Sequence, residues 1–593
     1  MVLENNATID SFLKGQVKQI VSSKNSNRKK EQSKKKIAAV ELSKNQKAIS
    51  VAEFFEKNRH LLGFDNNRKA LLTTIKEAMD NSLDACEEAH ILPEIYVEII
   101  DMGNNMYKVI VEDNGPGIVK QNIPFVFGKL LYGSKFHRLK QSRGQQGIGI
   151  SAAVLYSQLT TGRATKVISR IDKNKPAHAY EIRINTLNNE PEILKEEIVE
   201  WDKEYGTRIE LDLIGSYYRG AQSVDEYIKQ TSIVNPHATI IYVTPDGDQR
   251  IYARVTETLP KEPKEIKPHP YGLEIGTLIK MLKLTKEKTI LSFLKKEFSR
   301  VSQKVATEIL EKASIQPREK PTEIDRTKAE RIIEAISKTK ILPPPLDCLS
   351  EIGKELIRKG LMKEVNAEFY ETVTRKPVVY KGYPFIIEAG IAYGGELPRD
   401  SPATVMRFAN KIPLLYQAGS CAFTKTVIAL DWKKYGLNQP KGALPLGPLV
   451  ILIHIASVWV PYTNEAKEAI ANYPEIIREV KLALQEVGRK LGKYLSKKKN
   501  VESELKKRSF IEKYIPHISF AIKDILNLDE SIESELELKL KEVLKKTRGK
   551  IEKVGFDKES NTEFEEEFKL KVNSHGIVDE IYLDEEEQNG SKE

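Results

Sequence analysis

The stretch A70-L-L-T-T-I-K-E-A-M-D-N-S-L-D-A-C-E-E-A89 places Leu71, Leu72, Ile75, Ala78, Met79, Leu83 and Ala85 at spacings of three and four, the period of an amphipathic helix. Glu77 and Asn81 stand four apart, so their side chains share one face of that helix. A glutamate so placed has the chemistry to orient and deprotonate a water. The amide oxygen beside it suits a Mg2+ ion whose other ligands are phosphates and water.

Two segments downstream extend this pattern. The alternating run Tyr107-Lys-Val-Ile-Val-Glu112 predicts a strand that delivers Asp113, the first residue of D113-N-G-P-G-I118, at its carboxyl end. Asp113 can accept a hydrogen bond from an exocyclic amino group, and Gly115 and Gly117 let backbone approach a flat base. In G144-Q-Q-G-I-G149 three glycines precede I150-S-A-A-V-L155, which predicts a helix whose first amides face phosphate. No G-K-S/T follows the glycines, so this is not a Walker A loop. A carboxylate, an amide, a base-reading aspartate and two glycine turns in this order imply an ATPase.

On these residues the chain resembles the GHKL ATPases, whose Bergerat pocket is shared by gyrase, Hsp90 and MutL, and most closely the B subunits of the type IIB (topoisomerase VI) DNA topoisomerases. The match runs from about Ala52 through P461-Y-T-N-E-A-K467 and beyond. The resemblance implies ATP and Mg2+ as cofactors, with Glu77 as general base, Asn81 as the Mg2+ ligand and Asp113, with Gly117 beside it, as the adenine reader. Gly144, Gln145, Gln146, Gly147, Ile148 and Gly149, followed by Ile150 and Ser151, correspond to the phosphate-facing end of the ATP lid. Ser134 and Lys135 in L130-L-Y-G-S-K135 resemble the lid's other nucleotide contact, and Thr161 in T160-T-G162 resembles the threonine supporting the adenine end. The lid also carries His137, Arg138, Lys140 and Arg143, a density of positive charge suited to closing over triphosphate. The family's γ-phosphate-sensing lysine corresponds to Lys467, with Lys441 in Q439-P-K-G442 as the alternative.

Length and composition fit that picture. A chain of 593 residues is too long for one core and predicts three or four domains. At 40% hydrophobic and 30% charged residues it has the composition of a soluble protein. The longest apolar region, residues 443–460, is interrupted by Pro445, Gly447, Pro448 and His454, and no secretory segment opens the chain, so a cytoplasmic, nucleoid-associated protein without a membrane partner is expected. The three cysteines lack C-x-x-C spacing and the nine histidines form no H-x-x-x-H pair, which gives no support to a disulfide framework or a transition-metal site. The net charge of +10 is unevenly placed: residues 1–50 hold eleven Lys or Arg against four acids, and residues 551–593 hold fourteen acids against five bases.

The expected fold class is α+β multidomain. Residues 1–50 read as a basic, disordered arm able to follow a phosphate backbone. Residues 51–250 read as the GHKL α/β sandwich with strap and lid, 251–335 as a helical unit resembling a helix-two-turns-helix insertion, and 336–500 as a transducer resembling the ribosomal protein S5 domain 2-like fold. Within the last, residues 378–390, 407–416, 425–430 and 449–460 are strand candidates, A466-K-E-A-I-A471 opens a helix, and a long charged helix covers about 474–499. Residues 501–530 resemble the segment by which the family docks on its A subunit, and 531–593 form an acidic extension. Of the 23 tyrosines none stands near an acidic metal cluster, so the resemblance assigns DNA cleavage to the A subunit. It further implies an A2B2 heterotetramer, B–B dimerisation on ATP binding, and double-stranded DNA as the substrate whose positive and negative supercoils are relaxed. A MutL-like repair ATPase or an Hsp90-like chaperone ATPase is the alternative, the helical block at 270–315 arguing against the first.

Overall fold

The computed structural model describes residues 42–43, 48–135, 138–144, 147–464, 466–527 and 529–548. The first unit runs through helices α1 (Val51–Lys57) and α2 (Asn67–Glu88), strands β1 (Glu94–Asp101) and β2 (Met106–Asp113), and helices α3 (Ile123–Gly128) and α4 (Gly149–Thr161). Strands β3 (Thr165–Arg170), β4 (Ala177–Asn185), β5 (Glu190–Val199) and β6 (Gly206–Ile214), helix α5 (Val224–Val234), and strands β7 (Thr239–Val243) and β8 (Gln249–Tyr252) complete it. The eight strands form one sheet in the order β5-β4-β3-β6-β2-β1-β7-β8. Only β1 and β7 are parallel neighbours, which makes the sheet mixed.

Alternation decides which face is covered. Ile95, Val97 and Ile99 of β1 and Val109 and Val111 of β2 point inward, where Leu71, Ile75, Met79 and Leu83 of α2 and Val154 and Leu155 of α4 meet them in one core. Helix α2 starts at Asn66, whose side chain accepts the Lys69 amide, and α4 stops at Gly162 in the left-handed conformation.

A separate core follows in four helices, α6 (Ile275–Leu284), α7 (Ile290–Glu297), α8 (Gln303–Ala313) and α9 (Arg326–Ser337). Leu278, Phe293, Leu294, Ile309, Leu310 and Ile332 fill it. Thr289, Ser302 and Asp325 cap the last three of these helices.

The third unit comprises α10 (Lys354–Glu364), β9 (Phe369–Thr374), β10 (Val378–Tyr380), β11 (Tyr383–Tyr393), β12 (Thr404–Ala409), β13 (Ile412–Pro413), α11 (Ala422–Ala429), β14 (Leu449–Ser457) and α12 (Pro474–Leu526). Its sheet runs β10-β11-β14-β12-β13, with β9 pairing on β11. Helix α12 lies across it, burying Val480, Leu484, Val487 and Leu491 against Ile451 and Ile453. The chain then turns at Asn527 into α13 (Glu530–Arg548), which packs back on α12.

The structure corrects several expectations. Residues 425–430 are not a strand but lie largely in α11, since the short apolar run T426-V-I-A429 is equally compatible with a helix, here burying Ala422, Phe423 and Val427. Residues 466–471 open no helix: Tyr462 bridges Ile470, the Ala471 amide donates to Pro461 O, and the helix waits for Pro474. Residues 378–390 and 407–416 are each split by a tight turn, Lys381-Gly382 and Asn410-Lys411, with both central residues at positive φ. Helix α12 runs unbroken past residue 499 and through Pro516, and residues 530–548 of the acidic extension are helical. The basic arm and residues 551–593 lie outside the described residues except for 42–43 and 48–50. Among the described residues no helix is long and apolar enough to cross a membrane.

The first and third units share an apolar seam in which Ile233 and Val234 of α5 meet Ile357 and Leu361 of α10. Gly360 makes that approach possible, because a Cβ there would stand 2.0 Å from Ile233 O. Alanine in a helix interior ordinarily gains up to about 1 kcal/mol over glycine. Gly360→Ala is nonetheless expected to lower the melting temperature, while Gly276→Ala in α6, with nothing within 4 Å, leaves it unchanged or higher. Thermal unfolding of both variants checks this contrast.

Candidate nucleotide-binding site

One cavity of about 350 Å³ opens between α2, the end of β2, residues 132–135 and the start of α4. Glu77, Asn81, Asp113, Gly117, Ser134, Lys135, Gly144, Gly147, Ile148, Gly149 and Ile150 line it, over an apolar floor that includes Phe64, Val111, Val126, Phe127 and Ile209. Gln145, Gln146 and His137 lie outside the described residues.

Glycines set the spacing of the polar groups. A Cβ on Gly149 would stand 1.8 Å from Glu77 Oε2, so the carboxylate lies directly against the first residue of α4. That helix has Ile148 as its N-cap with no side-chain cap, and its first intrahelical bond is Ala152 N to Ile148 O, which leaves the Gly149, Ile150 and Ser151 amides as donors. The Ser151 hydroxyl donates back to Ile148 O, so its contribution is the amide. Asn81 Oδ1 faces Gly144, where a Cβ would be 3.6 Å away. Gly117, at φ +69°, passes so close to Arg170 that a Cβ would be 2.1 Å from its carbonyl oxygen.

Asp113 is 8% exposed and accepts from Ser82 Oγ at 2.7 Å, the Gly115 amide at 3.0 Å and the Thr207 amide at 3.1 Å. Burial raises its pKa to about 6, the hydroxyl and the two amides acting the other way. Ser82 and Thr207 are contributors that sequence reasoning missed. Ser82 follows Asn81 directly, and Thr207 faces Asp113 only through the pairing of β2 with β6. Thr207 lines the cavity and Thr161 does not: the Thr161 hydroxyl donates to Ser157 O at 2.8 Å at the far end of α4. The expectation for Thr161 is therefore corrected in favour of Thr207.

The third unit enters the same cavity. Lys467, 9% exposed and at φ +56°, lines it together with Ala466, and its Nζ donates to Arg143 O at 2.8 Å. Its loop is fastened to α2, where Lys76 Nζ donates to Ala466 O at 3.3 Å and Lys69 pairs with Glu468. Lys441 is exposed in a separate loop and lines no part of the cavity.

Three of the lid cations, Lys135, Lys140 and Arg143, are paired with acids on the last turns of α2. Lys135 Nζ stands 2.8 Å from Asp84 and Lys140 Nζ 3.2 Å from Glu88. Arg143 is turned away from the cavity, its guanidinium 2.9 Å from Asp84 and 2.7 Å from Glu87. The expectation that it faces nucleotide is corrected: the side chain lies in a buried network, and the carbonyl is the part that meets Lys467. Burial alone would raise the pKa of Glu87, but Arg143, then Lys411 and the His237 contact hold the carboxyl well below its ordinary value.

The residues fit ATP: an acceptor with spare lone pairs for an amino group, three helix-start amides for phosphate, and a carboxylate beside them. Among the described residues no group of three or more His, Cys, Asp or Glu is placed to hold a metal ion, so a divalent cation here would need oxygens from the substrate in addition to Asn81.

This arrangement is that of a GHKL ATPase. The family model described as "Histidine kinase-, DNA gyrase B-, and HSP90-like ATPase" matches residues 70–216, and that of the "Topoisomerase VI B subunit, transducer" matches residues 344–508. The B subunit of type 2 DNA topoisomerase 6 from Methanosarcina barkeri is 53% identical over 492 residues, covering 83% of this chain and 79% of that protein. The proteins of the same name from Archaeoglobus fulgidus and Sulfurisphaera tokodaii are 53% and 41% identical over 479 residues, covering 81% and 80% of this chain and 79% and 89% of theirs. The chain belongs to the B-subunit family of type 2 DNA topoisomerase 6 and is the ATP-binding subunit of an ATP-dependent type IIB topoisomerase.

The Asp113 carboxylate is a stronger acceptor for an amino group such as that of adenine than the neutral acid is, so proton uptake is expected to weaken nucleotide binding. Affinity for a non-hydrolysable ATP analogue is expected to weaken as pH falls through about 6. Calorimetric titration between pH 5 and 7.5 measures this, and a flat profile would remove the Asp113 carboxylate from the contact.

Proposed function

We propose that this chain is the ATP-operated gate of an A2B2 topoisomerase VI, closing as a B–B dimer on ATP and Mg2+ while the A subunit cleaves one DNA duplex for the passage of another. The observation that carries this reading is that Lys467, from the loop after β14, lines the same cavity as Glu77, Asn81 and Asp113. A nucleotide there would touch both the ATPase unit and the transducer.

In this reading Asp113 accepts from the adenine amino group, with Gly117 giving the base room and Thr207 beside it. The amides of Gly149, Ile150 and Ser151 and the backbone of Gly144, Gly147 and Ile148 face the phosphates, and Ser134 and Lys135 contact them from the other side of the lid. Asn81 Oδ1 is the protein's ligand to Mg2+, which supplies charge neutralisation for the phosphates. Glu77 takes a proton from a water that attacks the γ-phosphorus, the bond to the β-phosphate oxygen breaks, and ADP and inorganic phosphate result. The Lys467 ammonium contacts the γ-phosphate and so reports its presence to the transducer sheet and α12.

The remaining assignments follow the same reading. Helix α1, with Phe54 exposed and Val51 and Phe55 against the core, suits a strap that exchanges between two copies. The four-helix unit is a helix-two-turns-helix insertion, the transducer sheet has the S5 domain 2-like fold, and residues 501–530, the distal part of α12 and its end, dock on the A subunit. Double-stranded DNA is the substrate and the nucleoid the place of action.

Glu77→Ala is expected to keep analogue binding and dimer closure while hydrolysis falls by about 10²–10⁴-fold. Equal loss of binding and turnover would take Glu77 out of the general-base role. With the A subunit present, relaxation of supercoiled plasmid should require ATP and Mg2+ and be lost in both Glu77→Ala and Lys467→Ala. ATP hydrolysis without relaxation in any combination would remove the topoisomerase gate.

A further inference from the structure

We infer that Arg143 is a positioning residue that ties the base of the lid to the transducer and acts on the reaction through its own carbonyl and Lys467. The inference rests on the reading of Lys467 as the phosphate-contacting lysine. Arg143 is 4% exposed. Nη1 donates to Asp84 Oδ1 at 2.9 Å and Glu87 Oε2 at 3.0 Å, and Nη2 donates to Glu87 Oε1 at 2.7 Å and to Asn235 Oδ1. Two parallel bonds to one carboxylate fix the plane of the guanidinium, and Asp84 and Glu87, one turn apart on α2, fix its place.

The same segment is held from three directions. Arg143 O accepts from Lys467 Nζ at 2.8 Å, and Ser142 O accepts from Asn410 Nδ2 at 3.1 Å, in the β12–β13 turn. Gln141 exchanges two bonds with the Ser350 backbone, its Nε2 donating at 2.9 Å and its Oε1 accepting at 2.7 Å. Three consecutive lid residues therefore meet three different loops of the third unit or of its leader. Lys411 closes the cluster, with Nζ 3.3 Å from Ser350 Oγ and its amide donating to His454 Nε2 at 3.0 Å.

The physical consequence is a shared reference point. An ammonium has three donors, and the bond to Arg143 O commits one, directing the other two. If the guanidinium is removed, Asp84 and Glu87 lose their common cation, the lid base shifts, and the carbonyl no longer orients Lys467. The nucleotide itself keeps all its own contacts.

A double-mutant cycle with the full chain in its assembled heterotetramer tests this, reading steady-state ATP hydrolysis with thermal unfolding as a folding control. Arg143→Gln is expected to lower kcat about tenfold with KM within about threefold, and to cause less than about twofold further loss when Lys467 is already alanine. Losses that multiply in the double variant overturn the inference, as does a selective loss of ATP-analogue over ADP binding, which would make the guanidinium a phosphate ligand. If Lys467→Ala alone leaves hydrolysis unchanged, the reading of that lysine fails and the inference with it. Should Arg143→Gln fail to fold, Asn410→Ala, which leaves every partner of the guanidinium in place, enters the same cycle with the same two outcomes.

Discussion

The carboxylate of Glu77 occupies the space that any side chain at residue 149 would need. Because Gly149 has no Cβ, α2 and the first turn of α4 approach until an acid and three uncapped amides face one cavity. The amides carry the positive end of the α4 dipole, which favours anions and steadies Glu77 as well. Asp113 is set by the same device: a Cβ at Gly206 would stand 2.1 Å from its carbonyl oxygen, and Gly115 lies over its side chain. Glu77 and Asp113 are both placed by missing side chains around them.

The two units that share the cavity are joined in two chemically different ways. Along α5 and α10 the contact is apolar and close-packed, which resists sliding. Around α2 it is polar: Lys69 and Lys76 hold the Lys467 loop, while Asp84 and Glu87 hold the lid. Asp80, between these groups on α2, accepts from the Tyr227 hydroxyl at 2.9 Å, and burial raises its pKa to about 6. The helix whose one face lines the cavity thus also carries the contacts that join the two units.

How much of this the sequence discloses depends on whether the determining contacts are local. Helix α2, the strand before Asp113 and the glycine turns rest on periodicity and backbone freedom within a few residues, and they are legible. Thr207 is not, because only the pairing of Asp113 with Thr207 across β2 and β6 brings it to the site, whereas Thr161 is suggested by its local motif. A466-K-E-A-I-A471 has helix-forming composition, yet hydrogen bonds from Ala471 to Pro461 and between Asn464 and Glu468 hold it as a loop. Arg143 looks like one more lid cation until its partners are seen; the spacing of Asp84 and Glu87 is the signal that could have paired it. Strand β5 escapes notice because it is a charged edge strand with little buried surface.

Helix α12 is buried against the transducer as far as Tyr494 and continues to Leu526. At 1.5 Å per residue its distal part projects roughly 50 Å beyond that last anchor. By the geometry of a rigid rod, a tilt of about 5° at the base moves the far end about 4 Å, a displacement comparable to the diameter of a side chain. The α13 return stiffens that end, where Ile515, Ser519 and Leu544 are buried. A small change of angle at the base of α12 in this way becomes a change of fit at a surface several nanometres distant.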